Sequence, residues 1–446
     1  MGLEAVGDLA LRHILTKLGG KDTARLACLN KRFLACTEDE TLWSLFCLED
    51  LGLRSPIDPQ GSTVPSFKAA YKLWMEAFGM YPWPLVKRVK RCWDRIRSWL
   101  ATNFPEVDSS LRKGASEAQI EELEKLFKVK LPVATRILYR FCDGQDFRGK
   151  APPSSEYRSL LGLIGGYFVY DHLVNVYLLP LRKVISETRE IIRHPGFSGF
   201  SSKNKYILVA ASSTLSKKFF FLNCTNGQLY VATGNLLMDG DMLPCVPSAL
   251  ICSVHDLKSD NQQDAMLLWL EEHGRRLQSG AIKIREEVSV RSICQFPEEP
   301  PLCSTAVTNG VKVRASSVFM PELANLQSSS QKYCFAYSIR MSLLPEGCII
   351  NGQHFSSCQL HWRHWIIRAD DDVIDDVDAE AVIGKYPLLH PGEKEFVYQS
   401  CSHLPTATGS IEGSFRFVPG RLADPKGSAF EVEVHQFPLQ LPDYIF

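Results

Sequence analysis

The 446-residue chain carries 50 Lys plus Arg against 50 Asp plus Glu, with 45% hydrophobic and 22% charged residues. A balanced charge gives no global attraction to nucleic acid or to an anionic membrane, so neither is expected as the main partner. At roughly 150 residues per domain the length suits about three domains of ordinary globular composition.

Glu4 and Asp8 stand where a signal peptide would be basic, so no secretory leader is expected. The longest uncharged apolar stretch, near Leu160 to Tyr170, is about half of what a bilayer requires. Fourteen cysteines are scattered without a C-x-x-C. That excludes a zinc ribbon or RING-type ligand set, and the thiols are expected reduced, in cytoplasm and/or nucleus.

In chain order, Leu11, Ile14, Leu15 and Leu18 fall at i, i+3, i+4 and i+7, one face of a helix. Gly19-Gly20 stops it, and Asp22 is expected to cap a second helix striped by Leu26, Leu29 and Phe33. Thr37-x-x-Glu40 reads as a capping box before Leu42, Leu45 and Phe46. Three short helices bury little surface, so this unit is expected to need a partner or a neighbouring domain.

Residues 54–66 are rich in Pro, Gly and Ser and read as linker. Ser116-x-x-Gln119 is a capping box ahead of Ile120, Leu123 and Phe127. A further helix through Ile137, Leu138 and Phe141 is expected to end at Gly144. Short apolar runs at 160–169, 176–179, 206–211, 219–222 and 229–231 suit strands, and residues 264–277 suit a helix. Three prolines in 297–303 mark a boundary. Beyond it Tyr333, Phe335, Tyr337, Ile339 and Met341 alternate with smaller or polar residues at strict period two. More strands are expected at 360–367, 396–398, 415–418 and 430–434, closing a sandwich.

These residues carry a layered resemblance. Ile14-Leu15-x-x-Leu18-x-x-x-Asp22, followed by Ala24 to Phe33, resembles an F-box, the helical module that binds a Skp-family adaptor and through it cullin and RING subunits. The capped helix at Ser116, Leu131-Pro132 and Phe141-x-Asp143-Gly144 resemble the SMI1/KNR4 (SUKH) family. Residues 335–339, Arg363 to Ile367, Gly384 to Leu388, Pro391-Gly392-Glu393 and Gly413-Ser414-Phe415 resemble an ApaG domain, a fibronectin-type sandwich. Together the order is similar to the plant F-box proteins of the Skp-interacting-partner group. The resemblance implies a multidomain α+β chain: an F-box over 1–50, connecting helices over 51–91, a SUKH-like α/β domain over 92–280, a linker over 281–303 and an ApaG-like domain over 304–446. It implies a non-catalytic substrate-recognition subunit of an SCF-type ubiquitin ligase, with an unidentified protein substrate and no cofactor. Leu11, Ile14, Leu15, Leu18, Leu26 and Leu29 are the expected adaptor-binding face. The rivals are a scaffold outside any ligase and a small-molecule or nucleotide sensor built on the ApaG-like domain.

Several patterns mimic other chemistries. Gly144 to Lys150 has P-loop spacing, but Ala151 stands where magnesium binding needs Ser or Thr, and prolines follow. Only Gly384 remains of a Gly-x-Gly-x-x-Gly stretch linked to phosphate in bacterial ApaG proteins; Ala379 and Ala381 occupy the other positions. His354, Cys358, His361 and His364 look like metal ligands, but strict alternation puts His361 on the opposite strand face from Cys358 and His364, which lie roughly 20 Å apart at about 3.3 Å per residue. The basic run from Lys87 to Arg97 carries Val89, Trp93, Ile96 and Leu100 at helical spacing and reads as a solvated helix face. Asp370 to Asp376 is expected as an acidic hairpin tip, and 346–358 as a polar insertion.

Overall fold

The computed structural model describes residues 6–146, 160–193, 205–213, 216–236, 240–259, 261–287 and 290–446. Four helices open the chain: α1 (Asp8–Leu18), α2 (Gly20–Ala27), α3 (Lys31–Cys36) and α4 (Glu40–Leu51). Leu11 and Leu15 are fully buried among them, with Phe33, Leu42, Trp43 and Phe46. The bundle does not close by itself. Helix α5 (Phe67–Phe78) lays Tyr71 against Trp43, ring centroids 5.4 Å apart, and its hydroxyl donates to Asp50 at 2.7 Å. Gly20 is required by that contact, since a Cβ there would lie 2.3 Å from the Tyr71 ring.

Two expected caps are placed differently. Asp22 sits inside the first turn of α2 and pairs with Arg25 at 3.0 Å, while Gly19, at φ 80°, precedes the helix. Asp39, not Thr37, caps α4 by accepting from the Thr41 amide at 2.9 Å. Glu40 instead accepts from the Phe67 amide at 2.7 Å, so it caps the neighbouring α5 together with Ser66. A carboxylate serves whichever helix N-terminus the tertiary fold brings to it, since both present unpaired amides.

Helix α6 (Trp83–Asn103) buries Val89, Trp93, Ile96 and Leu100, as its period requires. Of its basic residues, Arg88 reaches a distant segment and grips Glu271 at 2.8 and 2.6 Å, partly buried, while Lys90 meets Asp94 within the helix. Short α7 (Pro105–Ser110) leads to α8 (Glu117–Phe127), whose Ser116/Gln119 capping box is formed, and to α9 (Val133–Phe141). Then come β1 (Gly165–Val169), β2 (His172–Leu178), α10 (Leu181–Arg193), β3 (Tyr206–Ser213), β4 (Lys217–Asn223), β5 (Leu229–Ala232), β6 (Met242–Pro244) and α11 (Ala265–Ser279). The stretch expected as linker, 281–303, contains β7 (Lys283–Glu287) and β8 (Val290–Cys294). They complete one eight-stranded sheet in the order β6-β5-β4-β3-β2-β1-β8-β7. Contact between β1 and β8 is parallel, Gly166 opposite Cys294, and the other pairings are antiparallel.

The C-terminal part is all β. One sheet runs β17 (Phe396–Leu404), β11 (Tyr333–Leu343), β10 (Val311–Phe319), β9 (Cys303–Thr308). The facing sheet runs β15 (Asp372–Glu380), β14 (Cys358–Ala369), β18 (Thr408–Arg421), with β16 (Leu388–Leu389) on β14 and β20 (Phe430–Gln440) and β19 (Asp424–Pro425) on β18. Inward residues of both sheets, including Phe335, Ile339, Trp365, Phe415 and Phe437, fill the layer between them. The insertion at 346–358 holds a small hairpin, β12 (Cys348–Ile350) with β13 (Gln353–Phe355).

Candidate docking surfaces

The six residues expected on the N-terminal docking face divide by burial. Leu11 and Leu15 are fully inside the bundle and can touch no partner. Ile14 and Leu26 are half-buried. Leu18 and Leu29 are exposed, Leu29 at 68%. Sequence reasoning passed over Leu9, exposed at 85%, and Leu34 and Leu48, both exposed. The amphipathic stripe finds the residues a helix turns toward its own core. Leu18 and Leu29 belong to the stripes and still stay exposed, whereas Leu9 lies off them, so an apolar residue outside the stripe was the missed signal.

An ion pair at 2.8 Å between Arg32 and Asp8 draws the starts of α1 and α3 together. Arg32 also donates to the Val6 carbonyl. Leu9 follows Asp8, and Leu29 lies in the turn between α2 and α3, three residues before Arg32. Arg12 pairs with Asp39 at 2.9 Å and ties α1 to the start of α4.

The helical unit is held to the α/β unit by shared helices. Trp74 of α5 donates to the Ile57 carbonyl at 2.9 Å, which orders the 54–66 segment, and Phe78 stacks on Phe141 of α9 at 4.7 Å. Arg136 of α9 joins Glu117 and Glu124, each at 2.6 Å.

The α/β sheet meets the sandwich across a polar, largely buried seam. Glu322, 6% exposed in its side chain, accepts from Tyr167 at 2.6 Å and His172 at 2.8 Å, and lies 3.6 Å from the ammonium of Lys218. Lys218 is fully buried and donates to Tyr167 at 3.1 Å and to the main-chain oxygen of Phe446 at 2.6 Å. Burial opposes ionisation of Glu322, but Lys218, His172 and Tyr167 outweigh it and hold the carboxyl below its usual range. Burial also lowers Lys218, and the facing Glu322 resists that. The charged pair is the state the geometry favours, because each Glu322 partner is a donor. Alongside, Glu298 accepts from Arg285 at 2.8 Å and Arg314 at 3.1 Å, and Arg340 reaches Glu287 at 3.1 Å. Burial again disfavours the Glu298 anion and the guanidiniums of Arg285, Arg340 and Arg314 overcome it.

Acid should therefore loosen the molecule. Carboxyls such as Glu298 and Glu322, lowered in the folded state, contribute stability that is complete above the unfolded value of about 4.3 and is lost as pH falls through their folded values. His273 adds an earlier step. It is fully buried, burial presses its pKa to about 3, and the unfolded chain takes up that proton below about 6.5. Thermal melting should shift downward from about pH 6.5 and more steeply below about 4.5; a melting temperature flat from pH 7 to 4 would contradict this.

The sandwich presents a second surface. The acidic run is not only a hairpin tip: Asp370 and Asp371 make the turn, and Asp372 to Asp376 continue as strand β15 at the edge of its sheet. Val373 and Ile374 are exposed there beside the carboxylates. On β14 a bulge between Leu360 and Trp362 reverses the alternation. Cys358 therefore points inward and His364 outward, against the strict-alternation reading that put them on one face. His364 pairs with Asp376 at 2.8 Å and His361 with Glu380 at 3.6 Å, both bridges to β15. Among the described residues no three His, Cys, Asp or Glu converge on a point that would hold a metal ion. Gly149 and Lys150 of the P-loop-like stretch lie outside the described residues.

Residues 324–419 match the family model described as the ApaG domain. Over its full length the chain is 59% identical to F-box protein SKIP16 of Arabidopsis thaliana, with 100% of each covered. It is 26% identical over 370 residues to F-box only protein 3 of Homo sapiens, covering 80% of this chain and 66% of that one. Protein ApaG of Anaeromyxobacter dehalogenans (strain 2CP-C) is 36% identical over 139 residues, 31% of this chain and 96% of its own.

Proposed function

As this chain belongs to the family of F-box protein SKIP16 and carries an ApaG domain, we propose that it is a substrate receptor of an SCF-type ubiquitin ligase, docking a Skp-family adaptor through its N-terminal bundle and holding a protein substrate with its C-terminal modules. The observation that carries this reading is a filled helical core that still leaves Leu9, Leu18, Leu29 and Leu34 outside. Exposed leucines have a cost in water and are explained by a partner that covers them. The polar seam joins the α/β unit to the sandwich. Such a receptor acts by position: it raises the local concentration of a bound protein near the ligase and takes no part in bond making. The α/β unit is proposed to be SUKH-like, a protein-binding role consistent with its place between the two ends. Co-purification of the full chain with a Skp-family adaptor is the direct test, and absence of any complex would favour a scaffold outside the ligase.

The β15 edge is the proposed substrate-side contact. Its carboxylates and exposed Val373 and Ile374 suit a basic, partly apolar segment, with the charge acting mainly on encounter rate. Asp370 is best left intact, because its carboxylate accepts from Thr408. Replacing Asp371, Asp372 and Asp378 by Asn should weaken substrate association about tenfold at low salt and flatten its salt dependence. Unchanged association at low salt would move substrate capture to the α/β unit.

A further inference from the structure

The face of β11 that carries Cys334, Ala336, Ser338 and Arg340 is turned toward the α/β unit, where Arg340 meets Glu287. In the register with β17, Cys334 lies opposite His403 and Ala336 opposite Cys401. Cross-strand partners share a face, and so do residues two apart, so Cys334 and Cys401 are diagonal neighbours on that one face. Neither is in a disulfide. Cys334 is fully buried, whereas Cys401 is half-buried and reachable by a small reagent.

We infer that Cys334 and Cys401 are a dithiol that hydrogen peroxide converts to a disulfide, a reversible modification site on the seam side of the sandwich. Three observations support it. First, the two thiols interact. Hydrogen bonding with the Cys334 thiol draws Cys401 down to about 7, burial opposes this, and nearby His172 assists it. The same interaction, with burial, pushes Cys334 up. A half-buried thiolate with a buried thiol beside it is the arrangement of an attacking and a resolving cysteine. Second, β17 is an edge strand of its sheet, and among the described residues its strand pairing is with β11. Diagonal Cβ atoms in a ladder stand up to about 7 Å apart against about 4 Å in a disulfide, so closing an S–S bond needs β17 to shift along β11, which an edge strand, laddered on one side, resists least. Third, the comparable pair Cys348 and Cys358 also interacts but both residues are fully buried, which denies peroxide access.

The chemistry balances without another reagent. The Cys401 thiolate attacks one peroxide oxygen, the O–O bond breaks, and hydroxide leaves behind a sulfenic acid. That hydroxide takes the Cys334 proton. The Cys334 thiolate then attacks the sulfenic sulfur, the S–O bond breaks, and the departing hydroxide takes up the proton first released by Cys401. Two thiols are oxidised and one peroxide is reduced to two waters. The product covalently ties β17 to β11 beside Tyr170, which bonds Ser400 at 2.8 Å. Oxidation would therefore stiffen the strand that touches the α/β unit.

The test uses the full chain, reduced, then treated with a few equivalents of hydrogen peroxide, quenched by alkylation and digested without reductant. The expected result is a linked peptide joining Cys334 and Cys401, about 2 Da lighter than the two thiols and released by dithiothreitol. In Cys401→Ser, Cys334 should remain a thiol under the same treatment. Two results overturn the inference: both residues alkylated as fully as in untreated protein while exposed Cys28 and Cys252 oxidise, or Cys401 advancing to sulfinic acid with no link to Cys334. The wild-type peptide map decides between these outcomes by itself, so poor folding of the variant would leave the test intact.

Discussion

Changing Leu9 and Leu29 together to Asp should abolish capture of a Skp-family adaptor while leaving the bundle folded. Both side chains stand in solvent, at 85% and 68% exposure, so the new carboxylates cost the free protein little. In a complex each would be desolvated without a partner. Loss of a central apolar contact costs about 2 kcal/mol or more, roughly 30-fold in affinity for each residue. Leu15→Asp is the informative contrast. It puts a charge where exposure is 0%, so it should lose adaptor binding by unfolding the bundle, visible as lost helical circular dichroism. A Leu9/Leu29 double variant that is folded and retains full adaptor affinity would remove the exposed leucines from the docking face.

Glu322→Ala should be the most damaging single change at the seam, costing about 3–5 kcal/mol. It strips the carboxylate from fully buried Lys218 and leaves the Tyr167 hydroxyl and His172 ring without their acceptor. Against a typical total of about 5–15 kcal/mol such a loss is large. The double variant Lys218→Met with Glu322→Leu should recover much of it, because removing both charges removes the desolvation penalty as well. Denaturant unfolding measures both. A single-variant loss below about 1 kcal/mol would mean that the seam is hydrated and the pair weak. The same network advises against judging the sandwich by deleting it, since residues 304–446 include Glu322, Arg314 and Arg340, and their removal uncovers Lys218 and Glu298.

Period and local chemistry decided much of this protein from sequence alone. Alternation over 333–341 is strand β11, helical spacing through Val89 to Leu100 is the buried side of α6, and Ser116 with Gln119 closes its capping box, because each feature depends on neighbours a few residues apart. The ApaG domain was legible for the same reason, its motifs being short and contiguous. Helix α10 was passed over although Leu181, Val184, Thr188 and Ile191 repeat at helical spacing, since the spacing lies among strands and its charged face dilutes the apolar signal. What distant parts of the chain decide was out of reach. The destination of the Glu40 carboxylate, the bulge that turns Cys358 away from His364, the two strands inside an expected linker and the split of the leucine set into core and surface all depend on which element arrives alongside. A side chain's burial and its partner are properties of two segments together, so only the tertiary structure could separate Leu15, which holds the bundle shut, from Leu29, which it leaves outside.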